Sequence, residues 1–408
     1  MLFWQMAWRN VWRYRRRTLL TVLTIALGLA FGILMRGIGD GFHEQMVDNS
    51  VRAEIGHLQL HLRGYHRDPS LQKTLPDATL VEQAIRQTPH LLGYSMRVLG
   101  DGLASTADNS AGVAVVGIVP EMERTVTTIN RAIVAGRYLD QGMNRPILIG
   151  ERLSQTLDAR LDDKLVLMVQ AADGSMGGQL FRVAGIFRSG SPELDRGVVY
   201  ILRTDAQSLY SLDSRLTEAA LLLDSSESVE PARRFLAARL SSAPVEILPW
   251  YVVAPFLEQF IELDDAFFYI IVVILFFVIS VGILNTVMMS VFERVREFGV
   301  MMALGTRPRQ VVRLVIQEAV VISLAGAVLG SLLGSGSTLL VESTGIDLSR
   351  WAAGASAVGI TATVIHPTLT FANLAASNLA VVLVVLLVAF YPAIRASRLR
   401  PVEALRHV

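Results

Sequence analysis

Residues 266–292 read AFFYIIVVILFFVISVGILNTVMMSVF, a run of 27 residues that carries no charge between Asp265 and Glu293. A helix needs about 20 mostly apolar residues to cross a bilayer, so this run predicts a transmembrane helix. Three more runs meet the same criterion and begin at Thr18, Ala319 and Ala375. We therefore predict a membrane protein with four transmembrane α-helices, at residues 18–41 (the first span and the beginning of a stalk), 266–292, 319–341 and 375–394.

The composition agrees with a membrane protein. Of the 408 residues, 52% are hydrophobic and 18% are charged, whereas about 25% of the residues of a soluble domain are charged. The chain has no cysteine, which excludes disulfides, thiolate metal sites and a cysteine nucleophile. Its net charge of +1 argues against nucleic acid as a partner, because such proteins carry a clustered basic excess.

Arginine placement predicts the orientation in the membrane. Five arginines lie in residues 1–17, five in residues 293–313 and four in residues 395–408, whereas the short loop 342–374 contains only Arg350. By the positive-inside rule, both termini and the loop between the second and third spans are cytoplasmic. The long segment between the first two spans then lies outside the cytoplasm.

Residues 1–17 precede the first span and mix tryptophan with arginine. Trp4, Trp8 and Trp12 are four residues apart and would share one helix face, which favours a cytoplasmic elbow helix lying at the membrane surface. The basic start also fits a cleaved signal peptide, but no small-residue cleavage site follows Met35.

Residues 42–260 predict a large extracytoplasmic α+β domain. Short β signals such as PILIG, beginning at Pro146, alternate with helical segments. Turn residues at Asp173–Gly174 and Gly177–Gly178 favour a hairpin. Two β/α pieces flank a β-rich stretch, which suggests two lobes.

Three histidines, His57, His61 and His66, lie close together in this domain. His57 and His61 would point the same way on a strand, so a metal site is conceivable. No carboxylate or further ligand stands at a metal-binding spacing, and polar positions that alternate along a solvated strand face explain the histidines fully, so our prediction is no metal site.

No motif in the sequence indicates catalysis. A phosphate-binding loop needs a lysine after a glycine, and neither Lys73 nor Lys164 follows one. The sequence contains no GxSxG or HExxH motif either. We expect a non-catalytic chain that draws any ATP energy from a partner, and a membrane-embedded hydrolase lacks support.

Residues 293–305, ERVREFGVMMALG, form the informative cytoplasmic segment. Apolar residues recur at helical spacing between charges of both signs, Gly305 is placed to end the helix, and Pro308 is placed to begin the next. One interpretation is an interfacial loop anchored by arginines. Charges of both signs favour a second interpretation, a contact with another protein. The segment to 318 is then a coupling helix and loop.

The pattern E-R-x-R-E-F-G-x-x-x-A-L-G resembles the signature of the FtsX-like permeases of ABC transporters, the superfamily of MacB, LolC and LolE. The resemblance extends to WRNVWRYRRRTLLTVLTIALGLA, VVGIVPE, ILIGERL and the tail YPAIRASRLRPVEAL. The size of the chain and the order of its segments are most similar to those of the LolC/LolE-type lipoprotein-releasing permeases. No segment matches the LolC hook that recruits a periplasmic chaperone.

The resemblance implies that residues 293–305 dock into an ATPase. It assigns this coupling role to Glu293, Arg294, Arg296, Glu297, Phe298, Gly299, Leu304 and Gly305. It implies a membrane-proximal Porter-like lobe at residues 42–100 and 215–260 and a Sabre-like insertion at 101–214. It also implies a bacterial inner-membrane location with the large domain in the periplasm.

Partners and cofactors follow from the same resemblance. No cofactor is expected in this chain, and ATP and Mg would be bound by a separate ABC ATPase homodimer. A second permease copy or paralogue, membrane lipid, and a periplasmic carrier or lipoprotein are the other expected partners. The output would be mechanical extraction of lipoproteins from the outer leaflet. An FtsX-like signalling scaffold that controls a periplasmic hydrolase or sensor, and MacB-like export of another cargo, are the alternatives.

Two further sets of residues are candidate sites within the spans. Aromatic residues at the beginning of the second span could face a lipid-linked substrate or simply anchor the helix at the interface: Phe256, Phe260, Phe267, Phe268 and Tyr269. Glycines at GxxxG spacing could pack helices against a second copy or within the chain: Gly28, Gly32, Gly326, Gly330 and Gly334. Asp264–Asp265 is interpreted as a solvated helix end.

Overall fold

The structure is a computed structural model, and it describes residues 6, 9, 11–13, 15–347 and 364–398. Within the described residues the chain forms two compact units. The helical unit comprises the described residues up to 44, residues 260–347 and residues 364–398. The α/β unit comprises residues 45–259. Most of the predicted elbow helix, the tail after 398 and much of the loop 342–374 lie outside the described residues.

The elements are numbered in chain order. The helices are α1 (Arg15–Ser50), α2 (Ala78–Arg86), α3 (Pro120–Glu123), α4 (Glu151–Leu157), α5 (Pro192–Gly197), α6 (Arg203–Leu209), α7 (Val229–Arg239), α8 (Trp250–Val253), α9 (Pro255–Glu293), α10 (Val295–Ala303), α11 (Pro308–Thr344) and α12 (Phe371–Ser397). The strands are β1 (Leu58–Leu62), β2 (Leu91–Ser105), β3 (Ser110–Ile118), β4 (Ile133–Gly136), β5 (Pro146–Gly150), β6 (Lys164–Gln170), β7 (Met176–Phe187), β8 (Val198–Leu202), β9 (Glu218–Leu223), β10 (Val245–Pro249), β11 (Ile346–Asp347) and β12 (Val364–Ile365).

Four helices of the described chain are long and apolar enough to cross a membrane: α1, α9, α11 and α12. Each contains one of the four predicted spans and extends beyond it. A five-residue π-helical turn, Val51–Ile55, continues α1. The predicted fold class, four transmembrane helices with a large α+β domain, is therefore confirmed.

Glycines allow α11 to approach α1 closely. A Cβ added at these positions would lie 2.6 Å from Ile25, 2.9 Å from Ala26 and 3.0 Å from Ala30, for Gly326, Gly330 and Gly334 respectively. In lipid no hydrophobic driving force brings helices together, so they associate through close packing, which small residues permit. In the third span, the glycine spacing therefore serves packing within the chain.

The glycines of the first span face α9. A Cβ added at Gly28 would meet the side chain of Ile279 at 2.3 Å, and one added at Gly32 would lie 3.8 Å from Leu275. Ile279 belongs to a buried apolar cluster shared by α1, α9, α11 and α12. The GxxxG pair of α1 thus also packs within the chain.

The α/β unit is built on ten paired strands. Their order is β10-β1-β9-β2-β3-β8-β5-β7-β4, and β6 pairs with both β2 and β7. The β3–β8 and β5–β7 pairs are parallel and the other pairs are antiparallel. The first half of β2 pairs with β9 and its second half with β3, so this strand is shared by two groups of strands.

The predicted hairpin forms between β6 and β7. Gly174 has φ +82°, in the region that favours glycine, and with Asp173 it forms the turn. The second predicted turn, Gly177–Gly178, is wrong. Both glycines lie inside β7, where they pair with Val169 and Met168 of β6.

The solvated strand face predicted for the histidines is also wrong. His57 and His61 are each 3% exposed, and the strand that follows His57, β1, is buried on both of its faces. The His57 Nδ1 accepts a hydrogen bond from the Leu223 N–H at 3.1 Å. His61 is engaged through its two ring nitrogens by Gln59 and the Thr217 carbonyl. In the described part of the chain, no three His, Cys, Asp or Glu residues are grouped as a metal site.

Candidate functional site

The segment from Glu293 to Gly305 lies between two candidate spans. Its helix, α10, ends where the Gly305 N–H donates to the Met302 carbonyl, and Gly305 has φ +95°. Only glycine adopts this conformation without steric cost. Pro308 then occupies the first turn of α11, where its missing N–H costs nothing. The predicted start and stop residues are confirmed.

Arg294 fixes the beginning of this segment. Its side chain is 6% exposed, and its Nη1 donates to the two carboxylate oxygens of Glu318 on α11 at 2.7 and 3.0 Å. Its Nε donates to Glu297 at 3.0 Å. Burial lowers the pKa of the guanidinium, but the two carboxylates outweigh burial and hold the pKa above its ordinary value. Arg294 therefore ties α10 to α11 rather than facing a partner.

Phe298 and Gly299 are also buried. The Phe298 ring is 1% exposed and lies beneath the Arg294 guanidinium at 5.0 Å. It packs in an apolar cluster with residues of α9, α11 and α12: Val291, Val311, Leu314, Val315, Ala393 and Ala396. These two residues of the predicted coupling set therefore have a packing role.

The two acidic residues of the segment pair with arginines that precede the first span. The Arg17 Nη1 donates to Glu293 at 2.7 Å, and the Arg13 Nη1 donates to Glu297 at 3.0 Å. Exposed pairs of this kind contribute little to stability, about 0.2–1 kcal/mol. Their geometric effect is larger, because they connect the end of α9 and the first turn of α10 to the N-terminal part of the chain.

One face of α10 stays exposed. Arg296, Val300 and Leu304 are four residues apart and so lie on the same side of the helix. Arg296 is exposed, and Val300 and Leu304 are 42% and 83% exposed. We call these three residues the exposed face of α10. Gly305, at its end, is exposed too.

The structure thus divides the eight predicted coupling residues into three groups. Arg294, Phe298 and Gly299 are buried and hold the segment in place, and Glu293 and Glu297 pair with arginines near the N-terminus. Arg296, Leu304 and Gly305 are available on the surface of the segment. The sequence reasoning missed Val300 in the exposed face and Glu318 as the anchor of Arg294. Glu318 is the acidic residue that borders the third span, and that position was the available signal.

A small cavity of about 30 Å³ lies beneath the segment. It is lined by Arg294 and Glu318 together with Arg17, Ser290 and Thr286 among others. This volume and these polar groups suit an ordered water molecule.

Two of the five aromatic residues proposed to face a substrate are engaged within the helical unit. The Arg36 guanidinium lies over the Phe268 ring at 5.2 Å. The Phe260 ring packs against Phe42 with centroids 6.3 Å apart. Both rings help to hold α9 against α1.

The other three aromatic residues are exposed: Phe256 by 63%, Phe267 by 58% and Tyr269 by 62%. Phe267 and Tyr269 are two residues apart, about 200° around a helix of 3.6 residues per turn. The five aromatics therefore do not form one continuous surface on α9.

The interpretation of Asp264–Asp265 as a helix end is wrong. Both residues lie inside α9, which begins nine residues before Asp264 at Pro255. Asp265 accepts a hydrogen bond from Arg36 at 2.7 Å, and Asp264 lies 2.9 Å from the His43 Nε2. The pair of aspartates joins α9 to α1 through two side-chain contacts.

Together these features define a class of membrane protein: four spanning helices, a large α/β domain between the first two, and a short anchored helix between the second and third. Residues 18–238 match the MacB-like periplasmic core domain, and residues 269–401 match the FtsX-like permease C-terminal family. The chain belongs to the FtsX-like permeases with a MacB-like core domain.

Two relatives illustrate the similarity to characterised proteins. The chain is 22% identical to the lipoprotein-releasing system transmembrane protein LolC of Neisseria meningitidis serogroup B, over 78% of this chain and 77% of that protein. It is 27% identical to the pyoverdine export ATP-binding/permease protein PvdT of Pseudomonas entomophila, over 83% of this chain and 52% of that protein. The chain spans about half the length of the PvdT and MacB relatives that it matches.

Among solved structures, the periplasmic region of MacB from Actinobacillus actinomycetemcomitans aligns with a TM-score of 0.36 and 13% identity, over 51% of this chain and 94% of that chain.

Proposed function

We propose that this chain is the permease subunit of a lipoprotein-releasing ABC transporter in a bacterial inner membrane. In this proposal both termini are cytoplasmic and the α/β unit lies in the periplasm. A separate ATPase binds ATP and Mg, and this chain transmits its movement without catalysing a reaction. The substrate is a lipoprotein extracted from the outer leaflet.

The observation that carries the proposal is the construction of α10. One side of the helix is anchored by Arg294 to Glu318 at 2.7 Å and by the buried ring of Phe298. The opposite side presents Arg296, Val300 and Leu304 to solvent. A helix that is held rigidly on one side and exposed on the other can receive a force and pass it to both adjoining spans.

Two long helices offer a route from that segment to the α/β unit. α9 continues without interruption from Glu293 to Pro255, and α1 runs from Arg15 to Ser50. ATP-driven closure of the partner dimer would displace α10 and, through these helices, the α/β unit. If ATP binding and cargo binding both favour the displaced conformation, each one raises the affinity of the complex for the other by the same factor.

The other partners complete the cycle. A second permease copy or a paralogue supplies the other half of the transporter, and a periplasmic carrier accepts the released lipoprotein. The resemblance to LolC-type permeases supports both, and the name of the relative LolC describes lipoprotein release.

The exposed face of α10 provides a direct test. Leu304→Asp places a charge on this face without touching the anchors, whereas Glu297→Lys would also break the contacts with Arg13 and Arg294. Leu92→Asp is the matched control, since Leu92 is a 57% exposed leucine of β2.

The assay is purification in mild detergent, with mass spectrometry of bound proteins and acylated species. We expect an ATPase and triacylated lipoprotein with the unmodified chain and with Leu92→Asp, and loss of the ATPase with Leu304→Asp. Retention of the ATPase by Leu304→Asp would contradict the role of this face. Recovery of no ATPase with the unmodified chain would contradict the transporter itself.

Export of another cargo is the second candidate. It is favoured by relatives whose names describe pyoverdine and macrolide export. The same purification separates the two candidates, because an exporter would retain the ATPase and carry no triacylated lipoprotein.

A further inference from the structure

Arg97 lies where β2 passes from one group of strands to the other. It pairs with Glu218 of β9, and the next residue, Val98, pairs with Gly117 of β3. The side chain is 3% exposed, although arginine is rarely buried unless it is fully paired.

Each of the three guanidinium nitrogens of Arg97 donates at least one hydrogen bond. Its Nε and Nη2 donate to the carboxylate of Glu123, at the end of α3, at 3.0 and 2.6 Å. Its Nη1 donates to the Glu218 carboxylate at 2.8 Å and to the Glu54 backbone carbonyl, also at 2.8 Å. Burial lowers the pKa of Arg97, but the charges of Glu123 and Glu218 outweigh burial and hold the pKa above its ordinary value.

The contact with Glu54 belongs to a wider anchoring of the π-helical turn Val51–Ile55, which continues α1 and is called the end of α1 below. The last carbonyls of a helix have no partner within the helix, and they form the negative end of its dipole. Here the Arg52 carbonyl accepts from the Thr128 N–H at 2.8 Å, and the Ile55 carbonyl accepts from the Gln59 amide at 2.9 Å. Arg97 provides the one charged donor among the three.

The four segments that meet at Arg97 are the end of α1, β2, α3 and β9. A buried ion network is not required for stability, because apolar side chains of similar volume often serve as well. What the guanidinium offers is a rigid planar fork with five donors in fixed directions, which apolar groups and lysine lack. The position of Arg97 therefore indicates that it holds these four segments in a fixed arrangement.

We propose that Arg97 is a positioning residue for transport: it fixes the end of α1 to β2, β9 and α3 at once, so that displacement of α1 reaches both groups of strands. This inference rests on the proposed function, and it adds the residue through which the movement enters the α/β unit.

The test variant removes the ion pairs of Arg97 with Glu123 and Glu218 without leaving either of these two carboxylates charged. In Arg97→Met/Glu123→Gln/Glu218→Gln all three charges are neutralised at similar volume, so folding is expected to survive. Arg188→Met/Glu151→Gln is the matched control, since it removes an ion pair of the same unit whose side chains are 58% and 31% exposed.

Spin labels can follow the movement, because the chain has no cysteine of its own. Glu44→Cys on α1 and Ala107→Cys in the β2–β3 turn are both exposed. The distance between the two labels is measured by pulsed electron paramagnetic resonance in the complex with its ATPase, with and without ATP. Release of a triacylated reporter lipoprotein per ATP hydrolysed is measured in parallel.

In the unmodified chain and the matched control, we expect ATP to change the label distance and to drive release. In the triple variant we expect the same thermal midpoint and ATPase assembly as in the control, no ATP-dependent change in distance, and release per ATP lower by about tenfold, a typical coupling factor. A merely structural role would lower the thermal midpoint and leave release per ATP unchanged in the folded fraction.

The outcomes separate this inference from the proposed function. A triple variant that keeps the ATP-dependent distance change overturns the role of Arg97 alone. An unmodified chain that shows no nucleotide effect overturns the proposed function and this inference with it. If the triple variant does not fold, Arg97→Lys decides. It keeps the charge but lacks the planar fork with donors in fixed directions, so full coupling in Arg97→Lys overturns the inference.

Discussion

Replacing Gly330 by alanine tests the close packing of α11 against α1. The added Cβ would lie 2.9 Å from the Ala26 carbonyl oxygen, 3.0 Å from the Leu29 Cβ and 3.1 Å from the Ala26 Cα. Backbone atoms cannot rotate away as a flexible side chain can, so the two helices must separate locally. Gly336→Ala, on the same helix, is the matched control, because no atom lies within 4 Å of its added Cβ.

The magnitude follows from comparing the two variants. Alanine favours a helix over glycine by about 1 kcal/mol at both positions, so this contribution cancels in the difference. Comfortable carbon–carbon contact begins at about 3.5 Å, which the Gly330 geometry violates by roughly half an ångström. Overpacking of this kind costs about 1–3 kcal/mol. We therefore expect Gly330→Ala to be about 1–3 kcal/mol less stable than Gly336→Ala.

The assay is equilibrium unfolding of the full chain in mixed micelles with increasing SDS, followed by circular dichroism. The quantity compared is the free energy of unfolding at a common reference SDS fraction. Equal stability of the two alanine variants would refute the reasoning, because the close approach of α11 to α1 would then carry no steric constraint.

Two other predictions concern charges. Arg294→Met removes the buried guanidinium that donates two hydrogen bonds to Glu318, and breaking a buried ion pair from one side should cost about 3–5 kcal/mol of unfolding free energy. Adding Glu318→Gln should restore much of that loss in the same SDS titration, and a double variant as unstable as the single one would contradict the ion-pair explanation. Glu230 is hydrogen-bonded by Arg233 and Tyr251, which lower its pKa from 4.5 to about 2. A lowered pKa stabilises the fold above pH 4.5 and loses that effect as the pH falls towards about 2. The gap in thermal midpoint between the unmodified chain and Glu230→Gln should therefore close over this range, and a constant gap would contradict the assignment.

Local signals predicted most of the elements. The four spans depend on apolar length alone, and the boundary between α10 and α11 depends on the backbone preferences of Gly305 and Pro308. Each of these properties is determined by a short window of sequence. For the same reason β5 could be recognised from PILIG.

Contacts between distant segments could not be predicted in the same way. The pairing of Arg294 with Glu318 depends on how α11 returns beside α10, which no local pattern encodes. His57 and His61 alternate with leucines as on a solvated face, yet both faces of β1 are buried, and the His61 ring stacks on the Tyr65 ring with centroids 4.6 Å apart. Asp264–Asp265 resembled a helix end because charge marks the limit of the apolar run, while the helix itself continues.

The eight residues assigned to coupling show the same limit. Sequence similarity placed all of them on one segment, but it could not show which side of α10 packs inward. That side is determined by the apolar residues of α11 and α12 that receive Phe298. The exposed face of α10 is the side that these residues leave uncovered.

The sharing of β2 between two groups of strands has a consequence for how the α/β unit opens. A strand of 15 residues that pairs with β9 through its first half and with β3 and β6 through its second cannot detach from one group without losing order in the other. Segments that lose order together behave as one cooperative unit in native-state hydrogen exchange. The amides of β1 and β9 should therefore exchange with the same opening free energy as those of β3 and β8, although these strands belong to different groups.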